Sequence, residues 1–566
     1  MSKKSLQVSL QEQEWEDEGG ELILGSSFTQ GEERKVIVQE ATRDLPSTTV
    51  LNLGQTFAEV LAENWDIIQF SPELNGNGVI YEDRQTIAHA LVLNGNGAEN
   101  TILRGADAHA KFFAQGNQLI VQNLTWEGDL YAGANDIDTE GTHLELRNVC
   151  FSGNLFGSSC EENWPFTHNG NVELVLSNST FTAGSCIFGS AAVLDRTVQY
   201  DVDNHIVIDA DCTGELAKFY GGGLVVNTGI LNTENISIEV HGGTWGQFFG
   251  GARQGDEING GNYTANDCVV TVTDGVFRNW LATGSQSRNG TAEQNNATLN
   301  IIGGTFNNVT TGGVSIGGNV RILGNATLNI SGGTFGGYVF GGSGANNLKN
   351  SAKSIISGTA SINIDASENT IRFEKNIYGG SFGKGRTMKG SVITFSGKGE
   401  NLSFAEDVVI SGSNQSAADG SRAVFKMREL RFQEFTGTLS CNIGRSFTAV
   451  VLNDSSVEFG GSALVDTIPA WNLELLSNTP ELIFGTRTVN DFTGDSLTVF
   501  WEENLLPIEE TWQLISAVKS SQLRGWDAFA SVTLGGETAT FSDDAWRSTS
   551  YMLTKQGNSL CVCRRN

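Results

Sequence analysis

The chain holds only 6 prolines and 4 methionines in 566 residues, against 69 glycines. No stretch of 18 consecutive apolar residues occurs, so the sequence predicts no membrane span. Basic residues are also scarce: Lys and Arg total 35 against 64 Asp and Glu, for a net charge of −29. A chain so acidic repels DNA, RNA and anionic membranes, and no basic cluster offsets it. There are six histidines, and no His accompanies the eight cysteines as a group; no Cys pair has CxxC spacing. A zinc site is therefore not expected. The first twenty residues contain two lysines but no apolar core of the length a signal peptide needs.

What is present is a repeat. A bulky residue followed by a tight glycine-rich turn recurs nine times between residues 131 and 378. The copies include YAGA from Tyr131, FGSS from Phe156, YGGG from Tyr220, ATGS from Ala282, IGGN from Ile316 and YGGS from Tyr378. The mean interval is about 31 residues, the period of a stacked architecture. A second box keeps step with it, ending at Trp126, Phe151, Phe181, Trp245, Phe277, Phe306 and Phe335. Each copy follows a run of alternating apolar and polar residues, the mark of a strand.

Successive units can pair through backbone hydrogen bonds at roughly 4.8 Å. Equivalent positions then lie above one another, which predicts that Phe277, Phe306 and Phe335 stack in the interior. Glycine is expected at the corners because it adopts positive φ. The unit is too short and too poor in helix formers for a βαβ repeat. The fold class expected is all-β: a right-handed parallel β-helix, or solenoid, with a short N-terminal helical cap and a β-rich C-terminal cap.

Three stretches are expected. Residues 1–45 read as an acidic flexible leader, residues 46–445 as the β-helix with its N-terminal cap, and residues 446–566 as irregular terminal coils and the C-terminal cap. The capping helix is placed at Thr56–Asn64. A closing hairpin is expected near Cys561 and Cys563, turning at Gln556-Gly-Asn. Long variable loops are expected at Gln286–Asn296 and Gly344–Lys353.

The opening coils carry Asp66-Ile-Ile-Gln-Phe-Ser-Pro, Leu93-Asn-Gly-Asn-Gly-Ala, Thr101-Ile-Leu-Arg-Gly and Gln122-Asn-Leu-Thr-Trp. They resemble the first coils of pectin-lyase-like β-helix proteins, including autotransporter passenger domains. The Gly-Gly-Thr-Phe copies are similar to the repeats of large bacterial surface proteins. The resemblance covers roughly residues 48–400 and implies fold more strongly than function, since the superfamily hosts lyases, hydrolases, tailspikes and adhesins.

Chemistry is sparse. The six histidines, His89, His109, His143, His168, His205 and His241, show no motif spacing to an Asp/Glu pair. The densest carboxylate group is Asp201, Asp203, Asp209 and Asp211. Paired carboxylates suit calcium or glycoside hydrolysis, but a solvated face gives the same pattern. These four are the only candidate metal residues, calcium the only candidate cofactor, and no catalytic residue is assigned. The function expected is a non-enzymatic bacterial surface or secreted adhesin-like rod. It would bind glycans or other cell-surface molecules through its loops, outside the cell or at its surface. The alternative is a carbohydrate-active β-helix, a polysaccharide lyase or glycoside hydrolase of tailspike type.

Overall fold

A computed structural model describes residues 46–566 except 109, 201–202, 256–259, 346–352, 384, 413–426, 476–480, 502–510 and 566. The expected leader, residues 1–45, lies outside the described residues. The chain from Thr48 to Asn566 forms one compact unit. Strand accounts for 57% of residues and helix for 4%, so the class is all-β. Among the described residues one α-helix occurs, Phe57–Leu61. Thr56 caps it, accepting from the Glu59 backbone N–H while the Glu59 side chain returns to the Thr56 N–H. It is shorter than the expected Thr56–Asn64, and Asn64 already has φ of +58°. Its buried face presents Phe57 to Phe70 and Phe112, with ring centroids 6.4 Å apart in both cases.

The strands pair in parallel with their counterparts one repeat later. Thr142–Ser152 lies between Leu119–Glu127 and Val172–Ser177, with Leu144 opposite both Leu119 and Leu174. The same column continues through Ile206, Ile238, Val270, Leu299 and Leu328. It then runs through Ile362, Ile393, Leu430, Val450, Trp471, Leu497 and Val532. All of these side chains are buried. Alternation along each strand puts one set of residues inside and the next outside, so one register carries the core through every repeat. Beyond about residue 400 the glycine pattern fades but the pairing does not. The repeat instead shortens, to 20 residues between Arg428 and Thr448.

After Ser531–Leu534 the order changes to antiparallel. Glu537–Ser542, Ala545–Arg547, Tyr551–Gln556 and Ser559–Arg564 pair in succession, and the last also pairs with Thr511–Ala517. Gln556 faces Ser559 across a turn at Gly557-Asn558, where the sequence placed the hairpin.

The two aromatic boxes form two separate ladders. Trp245, Phe277, Phe306, Phe335, Phe373 and Phe404 occupy one column, and those from Trp245 to Phe373 are buried in the main core. Tyr131, Phe156, Phe188, Tyr220 and Phe249 form the other, on the opposite side of their strands, where they build a second apolar cluster. Their rings lie 4.5 to 5.6 Å apart with planes within 11°. In this ladder the residue between Ala282 and Phe340 is Thr310, so the IGGN box at Ile316 is out of register.

The glycines serve two purposes. In the second box they take the expected positive φ, as at Gly304 with +111°. In the first box they are required by crowding: a Cβ on Gly221 would lie 2.3 Å from the Gly250 carbonyl oxygen. The expected loop Gln286–Asn296 is another correction. It holds the strand Gln286–Ser287 and the start of Thr291–Ile301, both paired to repeats on either side. Alternating small polar residues there fit a strand as well as a loop, and partner strands decide between them. In Gly344–Lys353, Gly344–Ala345 is strand and residues 346–352 lie outside the described residues.

Asparagines brace one corner. Asn123 donates to Asn94 Oδ1 at 3.0 Å, Asn148 to Asn123 Oδ1 at 2.9 Å, and Asn178 to Asn148 Oδ1 at 3.4 Å. Asn123, Asn148 and Asn178 have φ of +57°, +53° and +44°, a conformation asparagine tolerates better than most residues.

Candidate functional site

The strand register that buries Leu144, Leu174, Ile206 and Ile238 turns their neighbours outward. His143, Glu173, His205 and Ser237 therefore form one column on four successive strands. Glu145 and Glu239 belong to a second column, with Val175 and Val207 between them. His143, Glu173, His205 and Ser237 are half-buried in this outward row, whereas Glu145 in the second column is buried.

His143 Nδ1 lies 2.6 Å from Glu173 Oε2. That hydrogen bond holds the Glu173 carboxyl below the usual carboxylate range against the opposing effect of burial. The charges of His143 and, one repeat further on, His205 add to the effect. Beside this column Arg147 pairs with Glu145, its second guanidinium nitrogen 2.8 Å from Oε2. At the other end His241 stands between two carboxylates, 3.5 Å from Asp209 and 3.7 Å from Glu239.

The four aspartates singled out from the sequence do not share one place. Asp201 lies outside the described residues. Asp203 accepts from the backbone and side-chain nitrogens of Asn235 at 3.2 and 2.9 Å. Asp209 faces His241, and Asp211 is exposed in the turn beyond. The strand Asn204–Ile208 separates Asp203 from Asp209. Five extended residues span roughly 17 Å, too far for one cation to bridge. Among the described residues no three His, Cys, Asp or Glu side chains gather as a metal group.

The remaining histidines divide simply. His89 Nδ1 is 2.7 Å from the Ala90 carbonyl oxygen. His168 is fully buried beside Thr139 and Ser158, and burial pushes its pKa down to about 4. His109 lies outside the described residues. All eight cysteines are free thiols. Burial pushes Cys160 and Cys212 up to about 12, which suits small apolar fillers better than nucleophiles. A depression of about 870 Å³ lies where the repeat shortens and is lined by Lys398, Glu400, Glu434 and Thr438 among others.

Motif spacing along the chain missed the pairing of His143 with Glu173, because the two are 30 residues apart. The signal was there in another form. Aligning the strand around Leu144 with the strand around Leu174 puts His143 directly over Glu173. No known family, curated protein or solved structure matches the chain.

Proposed function

We propose that the chain is a right-handed parallel β-helix of pectin-lyase-like type, a bacterial surface or secreted rod that binds without catalysis. Its ligand would be an extended one, such as a glycan, lying along the outer strand faces. The in-register apolar column from Leu144 to Val532 and the asparagine-braced corner support the β-helix reading. The observation that carries the binding reading is the outward row from His143 to His241, which crosses four successive strands and carries imidazole, carboxylate and hydroxyl groups. A ligand with its own repeat can meet several rows at once, which makes weak contacts add up.

The test is a screen of neutral and acidic glycans and polyuronates, with and without calcium, read for both binding and product release. Binding without turnover, weakened by Arg147→Ala together with Glu239→Gln, is the expected result. Turnover would favour the second reading, a lyase or hydrolase. That reading has one observation in its favour: His143 and Glu173 are hydrogen-bonded as a base and its orienting carboxylate would be. No binding to any polymer in the screen would remove both readings.

A further inference from the structure

The buried column through Leu146 and Leu176 continues to Phe395, Phe432 and Leu452. Two residues beyond these five stand Asn148, Asn178, Gly397, Glu434 and Asp454, which turn the corner. Their φ angles are +53°, +44°, +84°, +51° and +46°. Glycine has no Cβ to clash there, and the short side chains of Asn and Asp bond locally to the backbone; glutamate has neither advantage. Glu434 is also one residue too many for its strand pair. Gln433 faces Ser396 and Phe435 faces Gly397, so Glu434 forms a β-bulge. Bulges re-aim side chains and are common beside active sites.

This bulge borders the depression of about 870 Å³. In successive repeats the corner is crossed by residues 367–370, by the turn Gly399–Asn401 and then by the unbroken strand Met427–Leu439. Loss of the connecting turn leaves a step, and the depression lies in it. Its volume falls in the range of roughly 300–1,000 Å³ usual for small-molecule sites. Lys398, Glu400, Glu434 and Thr436 line it and are exposed. Among the described residues, no ion pair or hydrogen bond engages the side chains of Lys398, Glu400 or Glu434.

We propose that this depression is a subsite for a short stretch of a neutral glycan. The Glu400 and Glu434 carboxylates accept from sugar hydroxyls, and the Lys398 ammonium donates to a sugar oxygen. The proposal rests on the glycan reading above and narrows it. Hydrogen bonds to ionised groups are roughly twice as strong as neutral ones, and two carboxylates repel a uronate as like charges do. A corner residue selected for backbone conformation alone would be Gly, Asn or Asp, as at the other four positions. The longer Glu434 side chain carries its carboxylate further from the bend, at the rim of the depression.

The test is calorimetric titration of the full chain with cellotriose, xylotriose and maltotriose, and with trigalacturonate as the acidic counterpart. Saturable binding of a neutral probe, tighter than that of trigalacturonate, is the expected result. Glu434→Asn and Glu400→Gln should each weaken it at least tenfold. Arg147→Ala with Glu239→Gln should leave it unchanged. The strand of Glu239 lies five strands before Gly390–Lys398, roughly 24 Å away, too far for a short probe to span. Urea denaturation should find Glu434→Asn at least as stable as wild type, because Asn suits the corner. Binding lost without stability lost separates a ligand-contacting role from a structural one. Neutral binding that survives both glutamate variants but is lost in Arg147→Ala with Glu239→Gln would overturn this proposal and leave the outer row as the glycan site. Preference for trigalacturonate, or no binding of any neutral probe, would overturn it as well, and the polymer screen then decides the broader glycan reading separately.

Discussion

Phe306 lies between Phe277 and Phe335, with ring centroids 5.3 and 5.1 Å away and planes inclined by 14° and 21°. All three rings are buried, at 1%, 1% and 0% exposure. Each ring thus covers a face of its neighbour in the next repeat. Removing the middle one opens a cavity that the flanking backbone, pinned by its own hydrogen bonds, closes poorly. Phe306→Ala should destabilise the surrounding repeats by about 3–5 kcal/mol, and Phe306→Leu by much less. Hydrogen exchange across residues 270–340 would locate the loss; an undisturbed exchange pattern in Phe306→Ala would contradict the stacked arrangement.

A glycine can matter for its φ or for its missing Cβ, and these two roles respond differently to alanine. At Gly221 a Cβ would sit 2.3 Å from the Gly250 carbonyl oxygen and 2.4 Å from Ile238 Cδ1. At Gly336 the nearest atom would be 3.7 Å away. Gly221→Ala should therefore cost about 1–3 kcal/mol or more through overpacking. Gly336→Ala should be neutral or slightly stabilising, because alanine lowers the entropy of the unfolded chain. Urea denaturation of the two variants side by side checks this. Equal effects would mean that the first-box glycines are not set by close approach.

Much of this architecture was legible in the sequence. The alternating strands, the stacked phenylalanines and the closing hairpin follow from local pattern, because period two and a glycine turn leave few alternatives. What was not legible depends on contacts across repeats. Gln286–Asn296 looks like a loop until the strands on either side claim its backbone. The asparagine brace joins residues 25 to 30 apart, as Asn148 does with Asn123 and Asn178. The clustered aspartates misled for the opposite reason. Asp203 and Asp209 are close in sequence, but the intervening strand holds them at its two ends.

Trp471 Nε1 donates to Asp495 Oδ2 at 3.1 Å, and burial pushes the Asp495 carboxyl up to about 6. The native state therefore holds this proton more tightly than the unfolded chain, where the group titrates near 3.8. Stability contributed here is fully present below about pH 3.8 and is lost as pH rises to about 6, up to about 3 kcal/mol in all. His168 acts in the opposite direction, costing stability as pH falls from 6.5 towards 4. The difference between wild type and Asp495→Asn isolates the carboxyl. That difference should be small at pH 4 and should favour the variant at pH 7.5. A variant no more stable than wild type at pH 7.5 would show that Asp495 ionises there without penalty.

The last expectation concerns the segment 286–296, which sequence pattern alone marks as dispensable. Gln286, Ser287, Ala292 and Gln294 are all buried. On one side the segment pairs with Asn262–Val272, and on the other with Val314–Ser315 and Asn319–Ile322. Its removal would strip hydrogen-bond partners from both neighbours, and each orphaned buried backbone group costs roughly 1–3 kcal/mol. Several such groups together exceed the few kcal/mol by which a domain is stable. Deleting 286–296 should therefore give protein that is insoluble or has lost its strand signal by circular dichroism. A soluble, folded deletion variant would require the flanking repeats to re-pair directly, Asn262–Val272 with Asn319–Ile322. The mismatch is large, since the remainder of Thr291–Ile301 would still have to hold Ala297 opposite Cys268 and Ala326. Repeats held in register on both sides can lose a whole turn more readily than part of one.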